Sequence, residues 1–454
     1  MLQPKTRTVL PVGVILASVV LLGTPSVFAQ AGATITSVAG GVTVRTATDT
    51  LRLTVCGSAV IHVVASPDGK GGGATPKQPW MVAPCAPGKF TLTMPPEQPP
   101  ASTVAAAANP PAAILDTGSI KVLISLESGS LDFYDESDQR ILKEMRSSPR
   151  RYEPVMANGE SLLRVSNRFA LPADEAIYGL GQHQSGVFNY RGAVTELAQI
   201  NTDVAIPLLV STKGYGLLWN TAAKSYIDNR FPSELRLSAE AANAIDYYLI
   251  YGPEMDDIIH QYRTMTGHAP LFPEWAYGFF QSKDRYKSAA ELLNIAGEYR
   301  ARHLPLDVIV QDWFWWIHWG DPDFRPDAYP DVPGMLEALH SQHIHAMLTV
   351  WPRFDPESRN YRDMLARGLT IPRTTDYDAT NPAAGDYYWH NLVGEEFAKG
   401  WDAFWLDASE PETGTSDNHS DPVLADTGTL SREWCALRQH LSVDAYRQCL
   451  PALA

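Results

Sequence analysis

Two aspartates in this chain stand where apolar strands run out, each flanked by aromatic residues: Asp312 in "VIVQDWFWW" and Asp407 in "FWLDASEPE". A carboxylate at the mouth of a buried strand is held rigidly while its tip meets a ligand, which suits nucleophilic or acid/base work. Trp313, Phe314, Trp315 and Trp316 follow Asp312 directly, Trp405 precedes Asp407, and Phe280 and Trp351 stand in the other apolar strand-like runs of the same region. Sugar rings present apolar C–H faces beside hydroxyls, so stacking rings combined with hydrogen-bonding carboxylates point to carbohydrate chemistry. No Cys-x-x-Cys or His-rich cluster suggests a metal, and no glycine-rich phosphate loop suggests a nucleotide, so neither metal nor cofactor is expected.

The elements that would position these carboxylates begin after Pro270. "AYGFFQS" reads as a first strand, and Ser288, with Glu291 three residues on, reads as the N-cap of the helix "AAELLNIAGEYRARH". "LDVIVQDWFWW", "HAMLTVWP" and "AFWLDASEP" read as further strands, with "PDVPGMLEALHSQ" and "YYWHNLVGEEFAKG" as helices between them. Gln281, Asp312, Trp351 and Asp407 then each fall at the C-terminal end of a different strand, where a (β/α)8 barrel assembles its active site. Residues 31 to 268 have a different rhythm: short alternating runs such as "GVTVRTATDTLRLTV" and "IPLLVSTKGYGLLW", split by Gly, Pro and Asp, predict an antiparallel β-sandwich. The Pro/Ala-rich segment 95–113 reads as a loop.

The 454 residues, 45% hydrophobic and 19% charged with 12 Trp, suffice for two cores. A formal charge of -15, from 36 basic against 51 acidic residues, argues against nucleic acid and for a neutral ligand. Residues 1–29 read as an export signal: Lys5 and Arg7, then "VGVILASVVLLG", then small residues at Val27 and Ala29. The apolar run is too short to span a bilayer comfortably, so a periplasmic or secreted protein with no stable membrane insertion after cleavage is expected. In that oxidising compartment Cys56 and Cys85 would be able to pair.

The motifs "YGFFQS", "DVIVQDWFWW", "LTVWP" and "WLDASEPE", in this order, resemble glycoside hydrolase family 31. "IYGLGQHQSG" and "IPLLVSTKGYGLLWN" resemble that family's galactose-mutarotase-like N-terminal domain, and the likeness covers roughly residues 120 to 430. After the export signal read at 1–29, the resemblance implies a β-sandwich (30–270) and the first half of a (β/α)8 barrel (271–431). It makes Asp407 the nucleophile, gives Asp312 the sugar hydroxyls of the -1 subsite, lets Trp313, Trp351 and Trp405 wall that subsite, and leaves Glu410 as structural support. Within the family the motifs look most like α-xylosidases acting on xyloglucan-derived oligosaccharides. An α-glucosidase or α-glucosyltransferase is the alternative, and a non-catalytic carbohydrate-binding remnant is a third reading.

A retaining glycosidase needs a second carboxyl group about 5–5.5 Å from the first. The family's acid/base Asp lies on a later strand, in a Trp-Ser-Gly-Asp setting that is absent from this chain, and the stretch from Leu271 to Ala454 is shorter than the roughly 250 residues of a whole barrel. Residues 432–454 resemble nothing in the family. Codons permissible for this tail, read one base later, can encode "VNGARYVNIYPLMHTANVYQHW", which resembles the family's next helix. A frameshift near Arg432, with a truncated and catalytically impaired product, is therefore the expectation.

Overall fold

The computed structural model describes residues 32–67, 81–95, 111–157, 160–198, 203–221, 223–372, 374–408, 422–425 and 428–431. The expected signal segment, most of the Pro/Ala-rich loop, Glu410 and the 432–454 tail lie outside these residues. Ala112 and Ala113, at the end of the expected loop, belong instead to the strand Ala112–Asp116.

Three antiparallel sheets make up the N-terminal part. An 8-stranded sheet runs from Thr34–Val38 at one edge to Ile177–Gln182 at the other. One 5-stranded sheet is centred on Glu234–Ala242 and a second on Ile120–Ser125. The alternation visible in the sequence is the alternation of burial: Thr50, Arg52 and Thr54 are partly exposed while Leu51, Leu53 and Val55 are buried. That period of two turns one face of each sheet inward. Leu53, Val63, Val122, Phe133, Phe169, Trp219 and Leu237, drawn from all three sheets, share one apolar core. The sandwich closes on a helix that the strand rhythm did not predict, Met255–Thr266, whose first turn is tied by the Glu254 N–H donating to the Asp257 carboxylate at 3.3 Å.

A disulfide joins Cys56 to Cys85, pinning the segment before Thr91–Thr93 to the end of the strand Thr50–Val55. Closing a loop of sequence separation 29 restricts the unfolded chain and is worth about 3–4 kcal/mol. The double variant Cys56→Ser, Cys85→Ser should lose about that much in urea unfolding, and dithiothreitol should reproduce the loss in the parent. An unchanged unfolding midpoint would show that the bond constrains nothing.

Beyond the sandwich, four strands form an all-parallel sheet in sequential order: Phe280–Gln281, Val308–Gln311, His345–Val350 and Ala403–Leu406. Helices Ala289–Ala301 and Val332–His340 make the first two crossovers. The third carries Arg359–Ala366 and then a helical run from Pro382 to Ala398 that includes a π-helical turn, Trp389–Val393. Sequential neighbours throughout match the first four units of a (β/α)8 barrel; a doubly wound sheet reverses its order. Ser288 caps the first helix as expected, accepting the Glu291 N–H at 3.2 Å, while Glu291 accepts from the Lys287 N–H at 2.8 Å.

Candidate active site

Register decides which side chains can meet. The parallel pairing puts Gln281 beside Ile309 and Ala346, Gln311 beside Leu348 and Phe404, and Val350 beside Leu406. Neighbours in register share a face. Ile309, Ala346, Leu348 and Val350 belong to the buried cluster that includes Leu292 and Leu336 of the helices, and Phe404 and Leu406 pack against it. The other face carries Met347, Thr349, Ala403 and Trp405. Asp312, Trp351 and Asp407 lie just beyond the strand ends and continue its parity.

The observed bonds follow this parity. The Thr349 hydroxyl donates to Asp312 Oδ1 at 3.3 Å, and the Trp351 indole N–H donates to Asp407 Oδ2 at 3.1 Å. Trp351 stacks on Trp313 at 5.8 Å between ring centroids. The Asp407 backbone N–H donates to Val350 O at 3.0 Å, extending the ladder one residue past the fourth strand and fixing the carboxylate's root. Ala408, immediately after, has φ 53, a left-handed conformation that costs a non-glycine residue about 1 kcal/mol or more. Phe314, two residues after Asp312, has φ 62.

Burial raises the Asp312 carboxyl above its ordinary range; the Trp313 N–H and the Thr349 hydroxyl oppose the rise, and the nearby Asp407 and Asp284 charges add to it. Asp312, Trp313, Trp351 and Asp407 thus form one connected set, and Trp405, 43% exposed, is in register with Thr349 on the same face. Two expectations fail. Gln281 is turned away: its amide donates to Ser282 O at 2.8 Å and Tyr286 Oη at 3.3 Å, and its carbonyl accepts from the Tyr299 hydroxyl at 2.5 Å. Its parity is that of Ile309, so it faces the helices. Trp315 and Trp316 are core residues, 1% and 3% exposed, with the Trp315 indole donating to Thr349 O at 3.0 Å.

Sequence reasoning passed over Thr349. The signal was present: a hydroxyl residue inside the apolar run "HAMLTV", two before Trp351 and therefore on the same face. It also passed over Asp284 and Arg285 in the loop after the first strand. Asp284 accepts the Trp313 indole N–H, and the Arg285 guanidinium lies 4.2 Å from the Phe314 ring centroid. Among the described residues no cluster of His, Cys, Asp or Glu could hold a metal ion.

A model of the glycosyl hydrolases family 31 TIM-barrel domain matches residues 269–447, and one of the glycosyl hydrolase 31 N-terminal galactose mutarotase-like domain matches residues 50–228. The barrel match takes in part of the 432–454 stretch. An alpha-xylosidase of Saccharolobus solfataricus is 38% identical over 313 residues, 66% of this chain and 42% of that protein. An uncharacterized family 31 glucosidase of Pseudescherichia vulneris is 32% identical over 351 residues, 68% of this chain and 65% of that protein. The crystal structure of a GH31 alpha-xylosidase from a soil metagenome, complexed with xylose, superposes with TM-score 0.80 at 27% identity, covering 92% of this chain and 64% of that one. This chain thus spans between about two fifths and two thirds of the proteins it matches. With a sandwich and a barrel domain that both match family models, in order and on the fold of a solved member, the chain belongs to glycoside hydrolase family 31.

Proposed function

We propose that this chain serves a retaining α-glycosidase that removes α-linked xylose from xyloglucan-derived oligosaccharides, with Asp407 as nucleophile. The observation that carries the reading is the Trp351–Asp407 bond at the end of the parallel strands. With the indole N–H on Oδ2, the other carboxylate oxygen is the attacking atom: its lone pair forms a bond to the anomeric carbon as the glycosidic C–O bond breaks, giving a covalent glycosyl-enzyme. Asp312 accepts hydrogen bonds from sugar hydroxyls, and Trp313, Trp351 and Trp405 present ring faces to the sugar's C–H surface. The family resemblance gives Glu410 a supporting role. The acid/base carboxylate, which protonates the leaving oxygen, is not assigned to any residue.

Xylose is favoured over glucose because a bulky ring next to Asp312, as Trp313 is, would reject a C6 hydroxymethyl by steric exclusion, and because two of the matched proteins are α-xylosidases. The second reading, an α-glucosidase or α-glucosyltransferase, is favoured by the glucosidase relative. The Cys56–Cys85 bond supports an exported protein, periplasmic or secreted.

An aryl α-xyloside tests the reading, since its phenolate leaves with little need of a proton. A burst approaching one equivalent of phenolate per chain is expected, faster than with the aryl α-glucoside by about 10–200-fold, the range one methylene-sized difference supports. A faster glucoside burst would establish the second reading, and no burst from either would leave a carbohydrate-binding role.

Asp312 must be ionised to accept hydroxyls, so the rate should fall as pH drops through its raised pKa, higher than for an ordinary aspartate. Thr349→Val removes a donor that favours the ionised form. The acid limb of the pH–burst-rate profile should therefore move to higher pH, and a limb that stays put or moves down would detach Asp312 from catalysis.

A further inference from the structure

We infer that Asp284 and Arg285, on the loop after the first parallel strand, are positioning residues that determine sugar selectivity by clamping Trp313 and Phe314. The inference rests on the α-xylosidase reading above and adds to it the device that holds the excluding ring.

Trp313 sits at a junction. One edge of its indole is anchored by the N–H donating to Asp284 Oδ1. Its face stacks on Trp351 with 25° between ring planes, and Trp351 in turn holds Asp407. Phe314 leans on Trp313 at 4.2 Å between centroids. The Arg285 guanidinium covers both rings, 4.2 Å from the Phe314 centroid and 5.4 Å from that of Trp313. Phe314 reaches this place through a left-handed backbone, and it remains 40% exposed. A bulky residue held in that conformation needs outside support, and the guanidinium stacked on its ring supplies it.

The chain Asp284–Trp313–Trp351–Asp407 therefore connects an exposed loop aspartate to the nucleophile through two rings. Steric rejection of a hydroxymethyl requires a ring that cannot swing aside. Without its anchor, an indole can rotate about its side-chain bonds and yield the space that a larger sugar needs. Stacking against Trp351 alone restrains the plane of the ring but leaves it able to slide. The Asp284 acceptor stops the sliding, and Arg285 closes the loop-facing side. The two loop residues touch rings, and no contact places them against the reacting atoms.

The test compares phenolate bursts from aryl α-xyloside and aryl α-glucoside for the parent, Asp284→Ala, Asp284→Asn and Arg285→Ala. Asparagine keeps an acceptor for the indole N–H while removing the charge that also lies near Asp312, so it separates clamping from electrostatics. Asp284→Ala should lower the xyloside-to-glucoside rate ratio by about tenfold or more, within the 10–200-fold that such discrimination provides, mainly through a faster glucoside burst. Asp284→Asn should keep the parental ratio, and Arg285→Ala should fall between. A ratio within twofold of the parent in Asp284→Ala, or equal slowing on both sugars, overturns the clamp. So does an asparagine variant that behaves like the alanine variant, because charge would then be the cause. A parent that gives no burst with either sugar instead overturns the reading on which the clamp rests, so the two failures are distinct.

Discussion

Replacing Asp407 with asparagine should abolish the phenolate burst, slowing it by more than about 10³-fold, because the attacking oxygen lone pair becomes that of a neutral amide. The fold should survive. Asp407 is only partly buried, its backbone bond to Val350 is independent of the side chain, and the Trp351 N–H can still donate to the amide oxygen. Unfolding midpoint and saccharide affinity should therefore stay near the parental values while the chemistry vanishes. A truncation to Asp407→Ala sharpens the result, since azide can enter the vacated space and attack the anomeric carbon from the nucleophile's side, expelling the phenolate and leaving a β-xylosyl azide. Retention of a full burst in Asp407→Asn would remove the residue from the chemistry altogether.

The second large effect lies in the sandwich, at Arg150. Its guanidinium donates to Asp49 at 2.7 Å, to Glu144 at 2.5 Å and to Gly129 O at 3.2 Å, and its side chain is 3% exposed. The partners come from different sheets: Asp49 leads into Thr50–Val55 of the 8-stranded sheet, Glu144 follows Arg140–Lys143, and Arg150 opens the strand Arg150–Ala157. Tyr152 donates to Asp49 at 2.9 Å, and Asn167 donates to Glu144 at 3.0 Å. Burial opposes the charge on Arg150, but Glu144 and Asp49 outweigh it and hold the guanidinium firmly protonated. Arg150→Met fills the volume yet leaves two buried carboxylates without their cation, which costs about 3–5 kcal/mol. A loss below about 1 kcal/mol in urea unfolding would mean that water or rearrangement satisfies them, and that the three sheets do not depend on this tie.

The contrast between these two residues shows what the sequence displays and what it hides. Asp407 was legible because its surroundings are local: an apolar strand, a carboxylate and a Glu-Pro break, all within nine letters. Ser288 was legible for the same reason, as a cap and its helix are neighbours in the chain. Arg150 was not, since its partners lie 101 and 6 residues away and only the folded sheets bring them to one point. Gln281 misled because a two-residue strand offers no alternation from which to read its face. The helix Arg359–Ala366 escaped notice because Met364 is its only buried residue, too thin an apolar stripe to register beside its charges. Trp315 and Trp316 were indistinguishable from Trp313 by type; their alternation along an irregular loop, and hence their burial, is set by contacts with distant Thr349 and Trp351.

Covalent trapping with 5-fluoro-α-xylopyranosyl fluoride asks of the protein itself whether Asp407 is the nucleophile. Its anomeric fluoride departs with the bonding electron pair and needs no general acid, while the ring fluorine destabilises the oxocarbenium-like transition state of the second step, so the adduct persists. Intact-mass and peptide analysis should show one 5-fluoroxylosyl group per chain, on the peptide that contains Asp407 and on that carboxylate. An adduct on Asp312, or a chain that stays unlabelled under conditions in which it remains folded, would contradict the assignment of Asp407 as the nucleophile.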